Sequence, residues 1–216
     1  MRIGILGAGG MADALGTQWA RAGHEVMISG RDLAKATAQA AKMTAQAAQA
    51  VVRAGTWVEA AEFGDVVMVG VRDHGIVDVL QAAGAAMRGK PVIDVTAEGP
   101  GKHDFRRPLA HLISDLTGGH VVKAFNLCHV DVWRMTPPVF DGRPLAVPLC
   151  GDDPAAMEAV RTLVADLGCT PVNGGGFDRA ALLEATATFM IGLWFAGADA
   201  QAVLPPLALS GDHQPG

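Results

Sequence analysis

The sequence predicts a doubly wound α/β fold around a mostly parallel sheet, and three observations predict it. Short strand-like runs alternate with longer helix-like patterns through the first two-thirds of the chain. Those runs are apolar at nearly every position, as in "DVVMVGV" (Asp65 to Val71), which is the pattern of strands covered by helices on both faces. A glycine cluster, "GAGGMA", stands directly between the first run and the first helical pattern.

Each element has its own warrant. "RIGIL" (Arg2 to Leu6) reads as a strand, followed by a helix from Met11 to Ala22 that Gly23 ends. "EVMIS" (Glu25 to Ser29) is the next strand. Asp32 then caps an Ala/Gln-rich helix expected to run to about Arg53, because helix propensity stays high throughout. Further strands are expected at Asp65 to Val71, "PVIDVT" (Pro91 to Thr96) and "VVKAF" (Val121 to Phe125), with helices near Gly75 to Met87 and Arg107 to Leu116. After Asn126 the rhythm changes to a Pro-containing loop. A strand at "PLAVPLC" (Pro144 to Cys150), a helix from about Pro154 to Leu167 and the extended "TPV" follow. The last helix, Arg179 to Ala198, carries so many bulky apolar residues that it either covers the sheet or makes a homodimer contact. The expected organisation is a nucleotide-binding domain over residues 1–143, a strand/helix extension over 144–205 and a flexible tail over 206–216.

Composition narrows the function classes. A chain of 216 residues suffices for one well-buried core and a small appendage. Half the residues are hydrophobic and the net charge is −5, so nothing resembles the basic face that nucleic acid requires. The apolar start is too short for a signal peptide, and Phe189 to Gly197 is about half the length that spans a bilayer. A cytoplasmic protein without a membrane partner is expected. Cys128, Cys150 and Cys169 lack C-x-x-C spacing, so neither a disulfide framework nor a metal site is supported, and they read as small buried hydrophobes.

The glycine cluster carries the first functional signal. Gly7, Gly9 and Ala12 form G-x-G-x-x-A between a strand and a helix, the placement a dinucleotide fingerprint demands, with Gly10 and Met11 inside the turn. Gly7 permits the tight turn, Gly9 lets the backbone approach a diphosphate, and Ala12 allows close helix packing, which leaves the diphosphate at the helix N-terminus. The fold is then of Rossmann type. Twenty residues beyond Gly9, where an NAD site presents Asp or Glu, the chain has Ser29-Gly30-Arg31. Arg31 can pair with a 2′-phosphate that a carboxylate would repel, so NADP(H) is the expected cofactor. Ser29 would add a hydroxyl donor and Lys35 a second positive charge, while Asp32 reads first as the helix N-cap.

Ligands in such folds sit outside the carboxyl ends of the strands. The loops there contain Val71, Arg72 and His74, then Thr96 to Gly101, then Asn126 to His129. Val71, Arg72 and His74 are candidates for the diphosphate or the second substrate, and Asn126 for the nicotinamide amide; Lys123, inside a strand pattern, reads as structural. No catalytic side chain is assigned, the cleft candidates being His74, Asn126 and His129. The chain has no tyrosine, so a Tyr/Lys proton relay cannot operate. No Lys-x-x-x-Asn helix or Cys/His cluster replaces it. A hydride acceptor that needs little proton help, such as another redox cofactor, fits best.

At this point the residues resemble a known family. "MRIGILGAGGMA", "GHEVMISGRD", "VVKAFN", "PLAVPLCGDD" and "FDRAALLEATATFMIGLWFAG" are together similar to the dinucleotide-binding reductases that include NADPH-dependent reductases of the 8-hydroxy-5-deazaflavin coenzyme, factor 420. The resemblance implies a Rossmann-type domain with a small C-terminal addition, usually dimeric, with hydride passing between NADPH and the deazaflavin. It also implies that Arg31 and Lys35 contact the 2′-phosphate, the turn from Gly9 to Met11 the diphosphate, and the segment around His74 the cleft. Departures fall in the turns: Gly-Gly-Met stands where the deazaflavin reductases have Thr-Gly-Asn-Leu, Gly30 replaces a Ser before Arg31, and Asn126-Leu127-Cys128 replaces Thr-Ile-Pro. Two alternatives stay open. One is NADPH-dependent reduction of a small imine or carbonyl, with His74 or His129 as proton donor; the other is a nucleotide-binding sensor module with no chemistry of its own.

Overall fold

The structure is a computed structural model that describes residues 1–47, 50–71, 75–97, 108–199 and 203. The apolar runs at Arg2–Leu6, Val66–Val69, Pro91–Asp94 and His120–Lys123 become central strands buried on both faces, as expected of a parallel sheet, while the outer strands are partly exposed. In chain order the elements are β1 (Arg2–Leu6), α1 (Gly10–Arg21), β2 (Glu25–Ser29), α2 (Leu33–Gln46), β3 (Val52–Gly55), α3 (Trp57–Phe63), β4 (Val66–Val69), α4 (Ile76–Ala83), β5 (Pro91–Asp94), α5 (Leu109–Thr117), β6 (His120–Lys123), β7 (Val139–Phe140), β8 (Arg143–Pro144), β9 (Ala146–Cys150), α6 (Pro154–Ala165), β10 (Thr170–Gly175) and α7 (Ala180–Phe195).

One eight-stranded sheet has the order β10-β9-β6-β5-β4-β1-β2-β3, and β7 and β8 form a separate antiparallel pair. All its strand pairs are parallel except β6 with β9. β9 and β10 therefore extend the same sheet rather than starting another. Alternate side chains feed two apolar layers. Ile3, Ile5, Met68 and Ile93 pack with Leu15, Trp19 and Val160 on one face. Leu6, Val67, Val69 and Val92 pack with Ala60, Leu80 and Ile113 on the other. Among the described residues no helix is long and apolar enough to cross a membrane.

The main correction concerns residues 47 to 63. The helix expected to reach Arg53 stops at Gln46, and the chain then makes edge strand β3 and the seven-residue α3, neither of which the sequence reading placed. Helix propensity across that stretch is overridden by pairing of Val52 to Gly55 along β2. The local signal for α3 is a capping box: Thr56 accepts the Glu59 amide, and Glu59 reaches back to the Thr56 amide at 2.7 Å. α3 then lies so close to β1 that a Cβ on Gly4 would collide with the Ala60 carbonyl. Elsewhere boundaries move by a few residues, the expected Gly75 to Met87 helix becoming α4 and a 3-10 turn over Gly84–Met87.

Candidate nucleotide and hydride-transfer cleft

The chain turns from β1 to β2 on one side and crosses through α3 to β4 on the other, so β1 sits at the point where strand order reverses. A crevice opens there at the carboxyl ends of the strands. It consists of two hollows of about 340 Å³ and about 320 Å³ that share Gly9, Gly70 and Val71. Gly7, Ala8, Gly30, Arg31, Asp32, Lys35, Trp57 and Val79 line the first. Met11, Val95, Thr96, Phe125, Asn126 and Cys128 line the second.

Two glycines in the turn answer to different demands. Gly7 has φ +140°, and a Cβ there would stand 2.6 Å from the Gly70 carbonyl, so the protein's own packing excludes a side chain. Gly9 has an ordinary extended backbone, φ −89°, and a Cβ there would meet no described atom within 4 Å beyond its chain neighbours. Packing does not call for glycine at position 9. Gly9 caps α1 without a side-chain hydrogen bond, so the leading amides of Gly10, Met11 and Ala12 have no side-chain acceptor at the cap. Ala12 is fully buried against the sheet.

The first hollow is electropositive at its rim. Arg31 is exposed and has no ion-pair partner among the described residues, and the Lys35 side chain is 85% exposed. Asp32 caps α2, its carboxylate accepting the Lys35 amide at 3.1 Å, and that backbone bond holds its pKa below the ordinary range. The expected hydroxyl contribution of Ser29 is corrected: its side chain is fully buried and donates to the Ile5 carbonyl at 2.9 Å, tying β2 to β1. Gly30 itself reaches the hollow. Trp57, Gly70 and Val79 were not found by sequence reading. For Trp57 the overlooked signal was the capping box that starts α3 immediately before it.

The second hollow is mostly apolar. Phe125 adopts a left-handed backbone, φ +61°, uncommon for an aromatic residue, and is held edge-on against Trp19 and Trp133 with ring centroids 5.9 and 5.3 Å away. That turn brings Asn126 to the cleft. Its Nδ2 donates to the Leu183 carbonyl of α7 at 2.9 Å, while its Oδ1 is buried with no partner among the described residues. Below lies a buried charged cluster. Lys123 Nζ meets Asp94 at 2.9 Å, Glu184 of α7 at 3.3 Å and the Thr96 carbonyl at 2.8 Å, and Glu184 also accepts the Leu109 and Ala110 amides that open α5. Burial pushes the Cys128 thiol up to about 11. His129 lines neither hollow; its exposed ring lies 3.3 Å from Asp131. Arg72 and His74 lie outside the described residues, as do Glu98 to Gly101 of the loop after β5.

Residues 2–98, which contain the glycine turn, Arg31 and Trp57, match the family described as NADP oxidoreductase coenzyme F420-dependent. The fold is similar to that of a proposed F420-dependent NADP reductase from Arthrobacter sp. FB24. The identity is 26%, with 91% of this chain and 95% of that one covered and a TM-score of 0.75. It is also similar to the hypothetical protein SMa0349 from Sinorhizobium meliloti, at 24% identity over 85% and 89% of the two chains, with a TM-score of 0.71. A reductive aminase from Aspergillus terreus, in complex with NADPH4, cyclohexanone and allyl amine, shares the fold at 21% identity and a TM-score of 0.65. There the match covers 91% of this chain but 62% of that one.

Proposed function

We propose that this chain, whose residues 2–98 match the F420-dependent NADP oxidoreductase family, passes hydride between NADPH and a deazaflavin, factor 420, or a flavin-like acceptor. The observation that carries the reading is the contrast within one cleft. A hollow rimmed by Arg31 and Lys35 continues, across a glycine whose Cβ would meet no described atom within 4 Å, into a hollow with no charged residue among its described lining and one acceptor without a partner there.

Bound NADPH supplies the hydride; the chain binds it, orients it and keeps water away. In this reading Arg31 and Lys35 pair with the 2′-phosphate, and the leading amides of α1 take the diphosphate. Asn126 Oδ1 accepts from the nicotinamide carboxamide, which resolves a buried atom that otherwise lacks a partner. Met11, Val95 and Phe125 supply the dry wall beside which hydride passes. Hydride exchange with a deazaflavin or flavin makes little demand on the protein for a proton. Among the described residues lining the second hollow none titrates near neutrality, Cys128 being held far above that range. Reduction of an imine or carbonyl would draw its proton from His74, outside the described residues.

Two further expectations belong to this proposal. α7 is apolar on all sides, yet Leu182, Phe189, Trp194 and Phe195 stand exposed, which supports a homodimer built across that helix. Three unpaired cysteines suit a reducing cytoplasm. The test is to mix the protein with NADPH and oxidised factor 420, follow the loss of deazaflavin absorbance, and run FMN and FAD in parallel. NADPH-specific reduction of the deazaflavin is the expected result. Tight nucleotide binding without turnover on any of the three would reduce the protein to an NADP-binding module.

A further inference from the structure

We infer that Trp57 is the platform on which the adenine ring of the nucleotide lies, so that adenine binding is a separate device from phosphate recognition by Arg31 and Lys35. The inference rests on the NADP reading above and deepens it. Among the described residues lining the first hollow Trp57 is the one aromatic side chain, and it faces the same space as Gly30, Arg31, Lys35 and Val79. A purine offers a flat apolar face, and an indole is the largest flat apolar surface a side chain can return to it.

The chain fixes this indole with unusual economy. Trp57 is the first residue of α3, and the Thr56–Glu59 capping box sets the direction in which the helix leaves β3. Ala60 and Ala61, one turn on, are fully buried, and the contact of Ala60 with Gly4 presses α3 against β1. Packing needs small residues at those positions to bring the helix close. It sets no comparable demand on the half-buried Trp57, which packs against the core with one part and lines the hollow with another. A large aromatic side chain at the mouth of a charged hollow is accounted for by a flat ligand.

The other tryptophans make the test specific. Trp19 and Trp133 are buried in the opposite layer, and Trp194 stands on α7. The experiment titrates 2′,5′-ADP, NADP+ and nicotinamide mononucleotide into the wild type and into Trp57→Phe, Trp57→Leu and Trp57→Ala, reading tryptophan fluorescence and calorimetric affinity together. For the wild type, 2′,5′-ADP should quench emission as fully as NADP+, and nicotinamide mononucleotide should not quench it. Trp57→Phe should bind within about threefold of wild type while losing the quench, since a smaller ring still stacks. Trp57→Leu keeps apolar bulk without a π face and, like Trp57→Ala, should bind both adenine nucleotides about 10- to 100-fold more weakly. The loss should be equal for NADPH and NADH, because the adenine is common to both. Unchanged 2′,5′-ADP affinity in a folded Trp57→Leu protein would overturn the inference and leave the NADP reading standing. Failure of the wild type to bind NADPH or 2′,5′-ADP would overturn both.

Discussion

The two hollows of the cleft are built in opposite ways. The first hollow, the adenosine side of the proposed reading, draws its charged residues from one stretch, Gly7 to Lys35, and Arg31 and Lys35 there are exposed. The second hollow, the acceptor side of that reading, is assembled from the ends of β5 and β6, the turn at Phe125 and, through Asn126 and Glu184, from α7 nearly sixty residues later. Its charges are buried beneath the floor and its surface is mostly apolar. The charged rim of the first hollow rests on local sequence, whereas the second hollow is put together by distant segments.

The sharpest way to break this contrast is to attack the foundation of the acceptor side. Replacing Lys123 by Met leaves the Asp94 and Glu184 carboxylates buried without their shared cation, and stability to urea should fall by about 3–5 kcal/mol. A loss below about 1 kcal/mol would mean that the cluster does not hold α7 to the sheet.

On the adenosine side the largest effect should come without loss of stability. In Gly9→Ala the new methyl meets no described atom of the protein, so unfolding should shift by no more than about 1 kcal/mol, the usual difference between these residues at an N-cap. Dinucleotide affinity should nevertheless fall by on the order of 3 kcal/mol, the size of one or two charged hydrogen bonds to the diphosphate. Calorimetry beside thermal melts separates the two quantities, and equal damage to both would return Gly9 to a packing role.

Arg31→Ala should weaken NADPH by about 1.5–3 kcal/mol and leave NADH nearly unchanged, measured as paired dissociation constants. Equal losses for both nucleotides would remove the argument for 2′-phosphate recognition.

The mildest probe is Cys128, whose thiol lines the acceptor hollow. Burial disfavours its thiolate and raises the pKa from 9.0 to about 11. At pH 8 the reactive form is then about one part in a thousand, so alkylation by iodoacetamide should be far slower than for free cysteine. The rate should climb about tenfold per pH unit until the pH nears 11. Rapid alkylation at pH 7 would show that the hollow is wetter than described.

Legibility in the sequence followed the same division. The cap at Asp32 and the placement of the glycine turn, Arg31 and Lys35 along one crevice could be read because each depends on neighbours within a turn or two of chain. Ser29 was misjudged for the complementary reason: its hydroxyl is claimed by the Ile5 carbonyl across the β1–β2 pair, a partner that spacing along one strand does not reveal. β3 was hidden because four residues at the end of an Ala-rich stretch carry no period of their own and become a strand by pairing with β2. Losing β3 meant losing α3, and with it Trp57.

The sequence by itself determined the doubly wound class and the glycine turn between β1 and α1, and it set Arg31 after β2 where a carboxylate could have stood, since these follow from apolar runs, backbone freedom at glycine and residue identity alone. The tertiary structure alone decided that Lys123 is shared by two buried carboxylates, that Asn126 is held by α7 with an acceptor unpartnered among the described residues, and that the Trp57 indole lines the first hollow. Those facts depend on which distant segments meet, and burial against a particular partner is a property of the packed chain rather than of any stretch of it.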